Sequence, residues 1–154
     1  MNVWTGIAIG AVALAIFGLG KLAKTGANLV TEIKGRIHSL DFSQITFAID
    51  ALIKNPSQNG LNVQYPFIKI LYKDALIASS QLVNQVIEIA PLSQTNIRGI
   101  KIPVSYFNLT GVGAELIQKL QNRNTKITLQ VQISTIIHTG VSKIPFTTTQ
   151  EITF

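Results

Sequence analysis

The first twenty residues contain no charged side chain, and this feature constrains the fold more than any other. Twenty helical residues rise about 30 Å, which matches the hydrocarbon thickness of a bilayer. Trp4 lies at one end of the run, where an indole ring favours the interface, and Lys21 follows the other end. The sequence therefore predicts a transmembrane anchor helix at residues 1–20. Its predicted membrane-anchoring side chains are Val3, Trp4, Ile7, Ile9, Val12, Leu14, Ile16, Phe17 and Leu19.

Two other interpretations of this run stay open. A cleaved signal peptide would have basic residues ahead of the apolar stretch, and none is present here. A helix buried in a protein core is rarely apolar on every face. Gly6 and Gly10 form a small-xxx-small pair that would let two membrane helices pack closely, although glycine is common in membrane helices in general. We therefore expect a retained anchor, with these two glycines as candidate helix-packing positions.

Basic residues follow the predicted anchor directly. The chain carries 13 Lys and Arg against 7 Asp and Glu, and residues 21–40 hold half of the net charge of +6. Residues 21–36 are expected to be a basic juxtamembrane linker, whose cations contact anionic headgroups at roughly 1 kcal/mol each. The residues concerned are Lys21, Lys24, Lys34 and Arg36. Because such cations favour the cytoplasmic flank of a span, we expect a single-pass membrane protein with its domain on the cytoplasmic or equivalent face.

After this linker the hydrophobic period changes to two. Apolar side chains alternate with others over residues 45–53 and again over residues 127–133, which predicts half-buried strands. Turn-forming residues at 55–60 separate extended segments. A helix is predicted only at residues 109–121, where Leu116 and Leu120 share a face, and a last strand is predicted at Thr147–Phe154. About seven short strands with turns between them predict a mainly β fold, an antiparallel sandwich over residues 37–154 with one short helix.

The order of these signals resembles the LEA-2 domain, also called the water-stress and hypersensitive-response domain. The similarity covers residues 37–154, and each motif is weak alone while their order is fairly specific. The chain departs from the family in having Ser57 after the Asn-Pro pair and in its richness in glutamine. The resemblance implies a fibronectin-III-like sandwich behind a membrane anchor, and no common catalytic residues. The matching motifs are Asn55-Pro56, Gly60–Val63, Ile68–Asp74, Ala78–Ser80, Ile87–Pro91, Leu116 with Leu120, and Lys143–Phe146.

Residues that could carry chemistry are few and scattered. His38 and His138 have no second ligand at metal spacing, and cysteine is absent. The acidic residues show no paired spacing; Asp50 is expected to face solvent or to pair with a basic side chain on a neighbouring strand. No phosphate-binding or nucleophile motif occurs. We therefore expect no enzyme activity, no catalytic residue, no metal and no cofactor. Aromatic residues are too few for a nucleic-acid interface, so no nucleic-acid partner is expected.

The leading hypothesis is a non-enzymatic membrane-anchored structural or adaptor protein, whose partners are the lipid bilayer and one or more proteins. Its small size and its methionine ahead of the anchor fit a minor membrane protein of a virion, such as a phage, with an internal lipid bilayer, linking membrane to shell. The rival hypothesis is a membrane-tethered domain that binds a lipid or small ligand between its sheets. A small-molecule substrate is not expected under the leading hypothesis.

Overall fold

The computed structural model describes residues 29–109, 113–122, 125–138 and 140–153. Within these ranges it has nine strands, one 3-10 helix and one α-helix. The strands are β1 (Val30–Leu40), β2 (Gln44–Asn55), β3 (Leu61–Gln64), β4 (Phe67–Tyr72), β5 (Ala75–Ser79), β6 (Val86–Ile89), β7 (Ser93–Ser105), β8 (Thr128–His138) and β9 (Lys143–Thr153). The 3-10 helix is Tyr106–Leu109 and the α-helix, α1, is Gly113–Gln121.

All described strand pairs are antiparallel, and they form two sheets. The smaller sheet has the order β1-β2-β7. The larger sheet has the order β5-β4-β8-β3-β6, and β9 pairs along the other edge of β8. One edge of β8 is shared, because β4 pairs with residues 130–134 and β3 pairs with residues 137–138. At the branch the hydroxyl of Thr135 donates to the carbonyl of Gln64, so a side chain bonds to the backbone where β3 leaves β8.

The two sheets pack face to face around a large apolar cluster. Phe47 and Ile49 of β2 face Val131 and Ile133 of β8 within the same buried cluster, to which α1 adds Leu116. These are the positions that the two-residue period marks as inward, because successive strand side chains point to opposite faces. The predicted mainly β fold with antiparallel sheets and one α-helix is confirmed for the described residues.

The structure corrects the predicted start of the domain. Strand β1 begins at Val30, before the predicted start at Ile37, so residues 30–36 are part of the sheet and were wrongly assigned to the linker. In this strand Thr31, Ile33 and Gly35 point inward, whereas the alternate positions carry the charges. Only one of the three inward residues is strongly apolar, and the outward charges therefore made the segment look like a solvated linker.

Two other boundaries differ. Helix α1 begins at Gly113 rather than at residue 109, because Leu109 closes the preceding 3-10 helix. Strand β9 begins at Lys143, before the predicted start at Thr147.

The predicted anchor and the rest of residues 1–28 lie outside the described ranges. No helix in the described part of the chain is long and apolar enough to cross a membrane.

Candidate functional site

Leu29, the first described residue, lies at one end of the sandwich, which we call the entry end. It consists of Leu29, the turn at residues 55–60, the turn at residues 90–92 and the turn at residues 140–142. The strand register places these segments together. Val30 lies opposite Lys54 near the end of β2, and the β8–β9 turn follows the last residue pair of the β8–β9 hairpin. A second buried cluster fills this end; its residues are Leu29, Ile53, Leu61, Val63, Ile89, Ile137 and Phe146.

Asn55 organises the loops of the entry end. Its amide nitrogen donates to the carbonyls of Asn59 (2.7 Å), Ala90 (3.2 Å) and Ile89 (3.3 Å). Its side-chain oxygen accepts from the backbone N–H of Ser57 (3.1 Å) and from the Ser57 hydroxyl (2.8 Å). The side chain is 1% exposed. One buried amide therefore fixes the 55–60 turn against the end of β6, and the Asn-Pro pair has a structural purpose beyond turning the chain.

Two exposed aliphatic side chains project from this end. Leu92 is 71% exposed in the 90–92 turn, and Val141 is 96% exposed in the 140–142 turn. The backbone of Leu92 has φ 52°, a left-handed conformation that glycine and asparagine adopt far more readily than leucine. Its N–H donates to the carbonyl of Ser57 (3.0 Å), so this tip is tied to the turn that Asn55 organises. Lys143 lies exposed two residues beyond Val141.

The opposite end, which we call the far end, carries two exposed aromatic side chains. It consists of the turn at residues 41–43, the 3-10 helix, α1 and the β4–β5 turn at residues 73–74. Phe42 is fully exposed and Phe107 is 83% exposed. Their loops are joined because the N–H of Tyr106 donates to the carbonyl of Ser43 (3.0 Å). Exposed aromatic side chains of this size are typical anchors of protein interfaces.

The turn that carries Phe42 is held by a local carboxylate. Oδ1 of Asp41 accepts hydrogen bonds from the N–H groups of Ser43 and Gln44, both at 2.9 Å, and from the Ser43 hydroxyl at 3.0 Å. These bonds, first that from the Ser43 backbone, lower the pKa of Asp41 below its usual range. The ionised carboxylate thus stabilises the turn that carries Phe42.

An exposed ion cluster ties α1 to the β4–β5 turn. Glu115 accepts from Lys73 (2.8 Å) and pairs with Lys119 one helical turn away (3.0 Å). These two lysines lower the pKa of Glu115 to about 2. The Lys119 ammonium also donates to the hydroxyl of Tyr72 (3.4 Å). All three charged groups serve the packing of the far end.

An open apolar groove of about 470 Å³ runs over the outer face of the larger sheet. Ile136 is an apolar residue among the otherwise polar side chains on the outer face of β8. Leu82, in the loop that joins β5 to β6, lines the same groove. Phe67, Val83 and Pro145 complete the apolar part of the lining. The groove lies outside the sandwich, whereas the rival hypothesis expects a ligand between the sheets.

The predicted site residues fall into two groups. Lys34 and Arg36 lie on the outer face of the smaller sheet, where Arg36 pairs with Asp50 at 2.9 Å. The other carboxylate oxygen of Asp50 accepts from the N–H of Gly99 (2.7 Å) in a β-bulge, so Asp50 is paired with a neighbouring strand. The predicted membrane-anchoring side chains, both candidate packing glycines and Lys21 with Lys24 lie outside the described ranges.

Residues with acid–base or metal-binding chemistry do not converge in the described part of the chain. It holds no group of three potential metal ligands among His, Asp and Glu. His138 lies in the last pairs of β8, opposite Asn62 and Lys143. Its Nε2 is buried and has no hydrogen-bond partner among the described residues. Sequence patterns did not reveal the four exposed apolar tips of the two ends, although an apolar residue inside a polar turn was a signal that could have found them.

Comparisons with known proteins concern the fold alone. No family model and no curated protein matches the chain. A crystal structure of a protein from Archaeoglobus fulgidus is similar with a TM-score of 0.54 at 17% identity, over 79% of this chain and 93% of that one. A solution structure of a protein from Arabidopsis thaliana gives a TM-score of 0.44 at 15% identity, over 78% of this chain and 77% of that one. The first of these likenesses supports the sandwich topology described above.

Proposed function

We propose that the protein is a membrane-anchored, non-enzymatic adaptor. Residues 1–20 anchor it, and the far end presents Phe42 and Phe107 to a protein partner. The observation that carries the proposal is the separation of these features, because the chain enters at one end and the exposed aromatic pair lies at the other. A strand of twelve residues such as β2 spans about 40 Å, so the sandwich acts as a spacer between bilayer and partner.

The contacts of the acidic side chains support a role without catalysis. Asp41 caps a turn, Asp50 holds a bulge, and Glu115 joins a helix to a hairpin. Each of these carboxylates is used for packing. We further propose a virion with an internal lipid bilayer as the setting, with the shell as the partner, and a fibronectin-III-like sandwich of the LEA-2 type as the detailed fold.

Membrane association of the whole chain tests the first half of the proposal. The chain is reconstituted into liposomes and floated on a density gradient after washing at alkaline pH, which removes peripheral proteins. The expected result is that the chain floats with the lipid, and that Leu14→Lys with Ile9→Lys abolishes flotation because charges at the centre of a span are costly. A wild-type chain that stays at the bottom of the gradient contradicts the anchor.

Site-specific cross-linking in native membranes tests the second half. A photoreactive amino acid is placed at Phe42 or at Phe107, and a matched control at Asn96, which is exposed on the outer face of the smaller sheet. We expect a discrete protein adduct from the first two positions and none from the control. Equal adducts at all three positions, or none at the aromatic pair, would contradict a partner site at the far end.

The apolar groove favours a second candidate function, a tethered domain that binds a lipid chain or small apolar ligand. Its volume of about 470 Å³ falls within the range of small-molecule sites. The groove offers Gln64 and Ser134 as polar groups beside its apolar lining. Equilibrium binding of a fluorescent fatty acid tests this candidate, with Ile136→Arg expected to remove binding and Gln132→Arg on the same face expected to preserve it. Binding that survives Ile136→Arg would eliminate the groove as its site.

A further inference from the structure

We infer that Leu92 and Val141 insert into the lipid interface, so that the sandwich stands upright on the membrane with β1 and β2 near the bilayer normal. This inference rests on the proposed membrane anchor and adds the orientation of the domain. Its ligand is a lipid surface, recognised by two aliphatic side chains on two turns at the same end of the sandwich.

The position of the turns is the first argument. Both tips lie at the end that carries Leu29, and Leu29 is buried in the cluster that fills this end. Only eight residues, 21–28, separate the predicted anchor from Leu29, and eight residues span at most about 29 Å. The entry end is therefore the part of the sandwich that the anchor keeps next to the bilayer.

The backbone conformation and the exposure of Leu92 give the second argument. A turn position with a positive φ normally carries glycine or asparagine, and a leucine here costs backbone energy while 71% of its side chain stays in water. The N–H of Leu92 is bonded to Ser57, and Asn55 fixes the turn that contains Ser57. The apolar tip is thus tied by a hydrogen bond to the turn that Asn55 organises, while its side chain faces water. Val141 supplies a second exposed aliphatic side chain at the same end, 96% exposed.

The distribution of charge separates this orientation from its competitor. The competing arrangement lays the outer face of the smaller sheet on anionic headgroups through Lys34, Arg36 and Arg98. Glu32 and Asp50 lie among these cations, and Asp50 already pairs with Arg36, which weakens attraction to an anionic surface. In the upright orientation Arg36 lies about 20 Å along β1 from Val30 and does not reach the headgroups.

Spin-label depth measurements on the whole chain in liposomes test the orientation. Cysteine is absent, so one introduced cysteine gives one nitroxide. Labels are placed by Leu92→Cys and Val141→Cys at the entry end, Asn96→Cys on the competing face and Phe42→Cys at the far end. The vesicles contain phosphatidylcholine and phosphatidylserine. Relaxation by oxygen reports burial in lipid, and relaxation by a water-soluble nickel chelate reports exposure to water.

The expected result is an oxygen-to-nickel accessibility ratio at least about tenfold higher at positions 92 and 141 than at 42 and 96. Labels at 92 and 141 that are as water-accessible as the label at 42 overturn the inference, as does a label at 96 that lies deepest. Because the label at Val141 does not depend on the strained backbone of Leu92, it decides the result if Leu92→Cys misfolds. Failure of the whole chain to float with lipid instead defeats the proposed anchor, so the two failures are distinguishable.

Discussion

At the scale of single residues, two buried amides fix the arrangement of the loops and edges. Asn55 is 1% exposed and Gln150 is 2% exposed, and both satisfy backbone groups far away in sequence. Gln150 accepts from the N–H of Ile33 (3.1 Å) and donates to the carbonyl of Thr31 (2.9 Å), so a side chain of β9 bonds to the free edge of β1. A buried amide of this kind is costly to remove because it leaves its partners without hydrogen bonds.

Replacing Asn55 with alanine should destabilise the fold strongly. The substitution removes a donor shared by three carbonyls and an acceptor for Ser57. We expect the free energy of unfolding to fall by about 3 kcal/mol, since each buried unsatisfied group costs roughly 1–3 kcal/mol. Urea unfolding monitored by circular dichroism measures the change. Asn59→Ala is the control, because that side chain is exposed; an equal effect of the two substitutions would count against the network.

Replacing Gln150 with alanine should separate β1 from β9. Both hydrogen bonds to β1 are lost in a buried setting, and we expect a loss of about 2 kcal/mol in the free energy of unfolding. Gln132→Ala on the outer face of β8 is the matched control, with an expected change of less than about 0.5 kcal/mol. Amide hydrogen exchange at Ile33 should accelerate in the Gln150 variant alone. Unchanged exchange at this amide would show that the bridge is not needed to hold the edge.

At the scale of elements, the bulge in β7 depends on one glycine. Gly99 has φ +67°, and the strand register shifts where it lies opposite β2. A Cβ at Gly99 would meet no atom within 4 Å, so the cost of Gly99→Ala comes from backbone conformation alone and should be about 1–2 kcal/mol. Gly60→Ala is the control, since its Cβ makes ordinary contacts from 3.8 Å. Thermal unfolding compares the two, and a larger effect at Gly60 would contradict this account.

The junction between α1 and the β4–β5 turn should respond to acid. The pKa of Glu115 lies at about 2 in the folded chain, below its usual value of 4.5. The stabilisation from this carboxylate is therefore present above pH 4.5 and is lost as the pH falls from 4.5 toward about 2. Glu115→Gln should flatten that part of the stability curve while leaving the fold intact. Denaturant titrations at several acidic pH values test this; parallel curves for the two chains would exclude the link.

Sequence patterns placed the strands whose inward positions are apolar, and they misplaced the start of strands whose inward positions are partly polar. Strands β2 and β8 alternate isoleucine, phenylalanine, valine and leucine with other residues, and both were placed correctly. Strand β9 places Thr148 and Gln150 inside, so its hydrophobic period is weak and its start was set too late. Polar residues become buried there because neighbouring strands offer hydrogen-bond partners, and a single strand does not contain that information.

The same limit applies to the candidate site. An apolar residue in a turn is visible in the sequence, but its meaning depends on which turns share an end of the sandwich. Leu92 and Val141 are 49 residues apart, and only the strand register brings their turns together. The motif around Asn55 was recognised as a turn, whereas its bonds to Ile89 and Ala90 are tertiary contacts.

At the scale of the whole molecule, the described residues contain a core shared by both sheets. A chain that begins at Leu29 should therefore fold alone and unfold in one cooperative transition, with Leu29 supplying the first core contact. A chain that begins at Lys34 should be several kcal/mol less stable, because it lacks both Leu29 and the fully buried Ile33. Calorimetry of the two chains measures the difference. Equal transition temperatures would show that the start of β1 contributes nothing.

The bridge from Gln150 also bears on how copies of the chain meet. A sheet edge with free backbone donors and acceptors can template a strand from another molecule, and such pairing leads to aggregation. On β1 the amide of Gln150 occupies the N–H of Ile33 and the carbonyl of Thr31, which is the hydrogen bonding that an added strand would use. Copies of the chain at high local concentration are thereby hindered from pairing through this part of the edge.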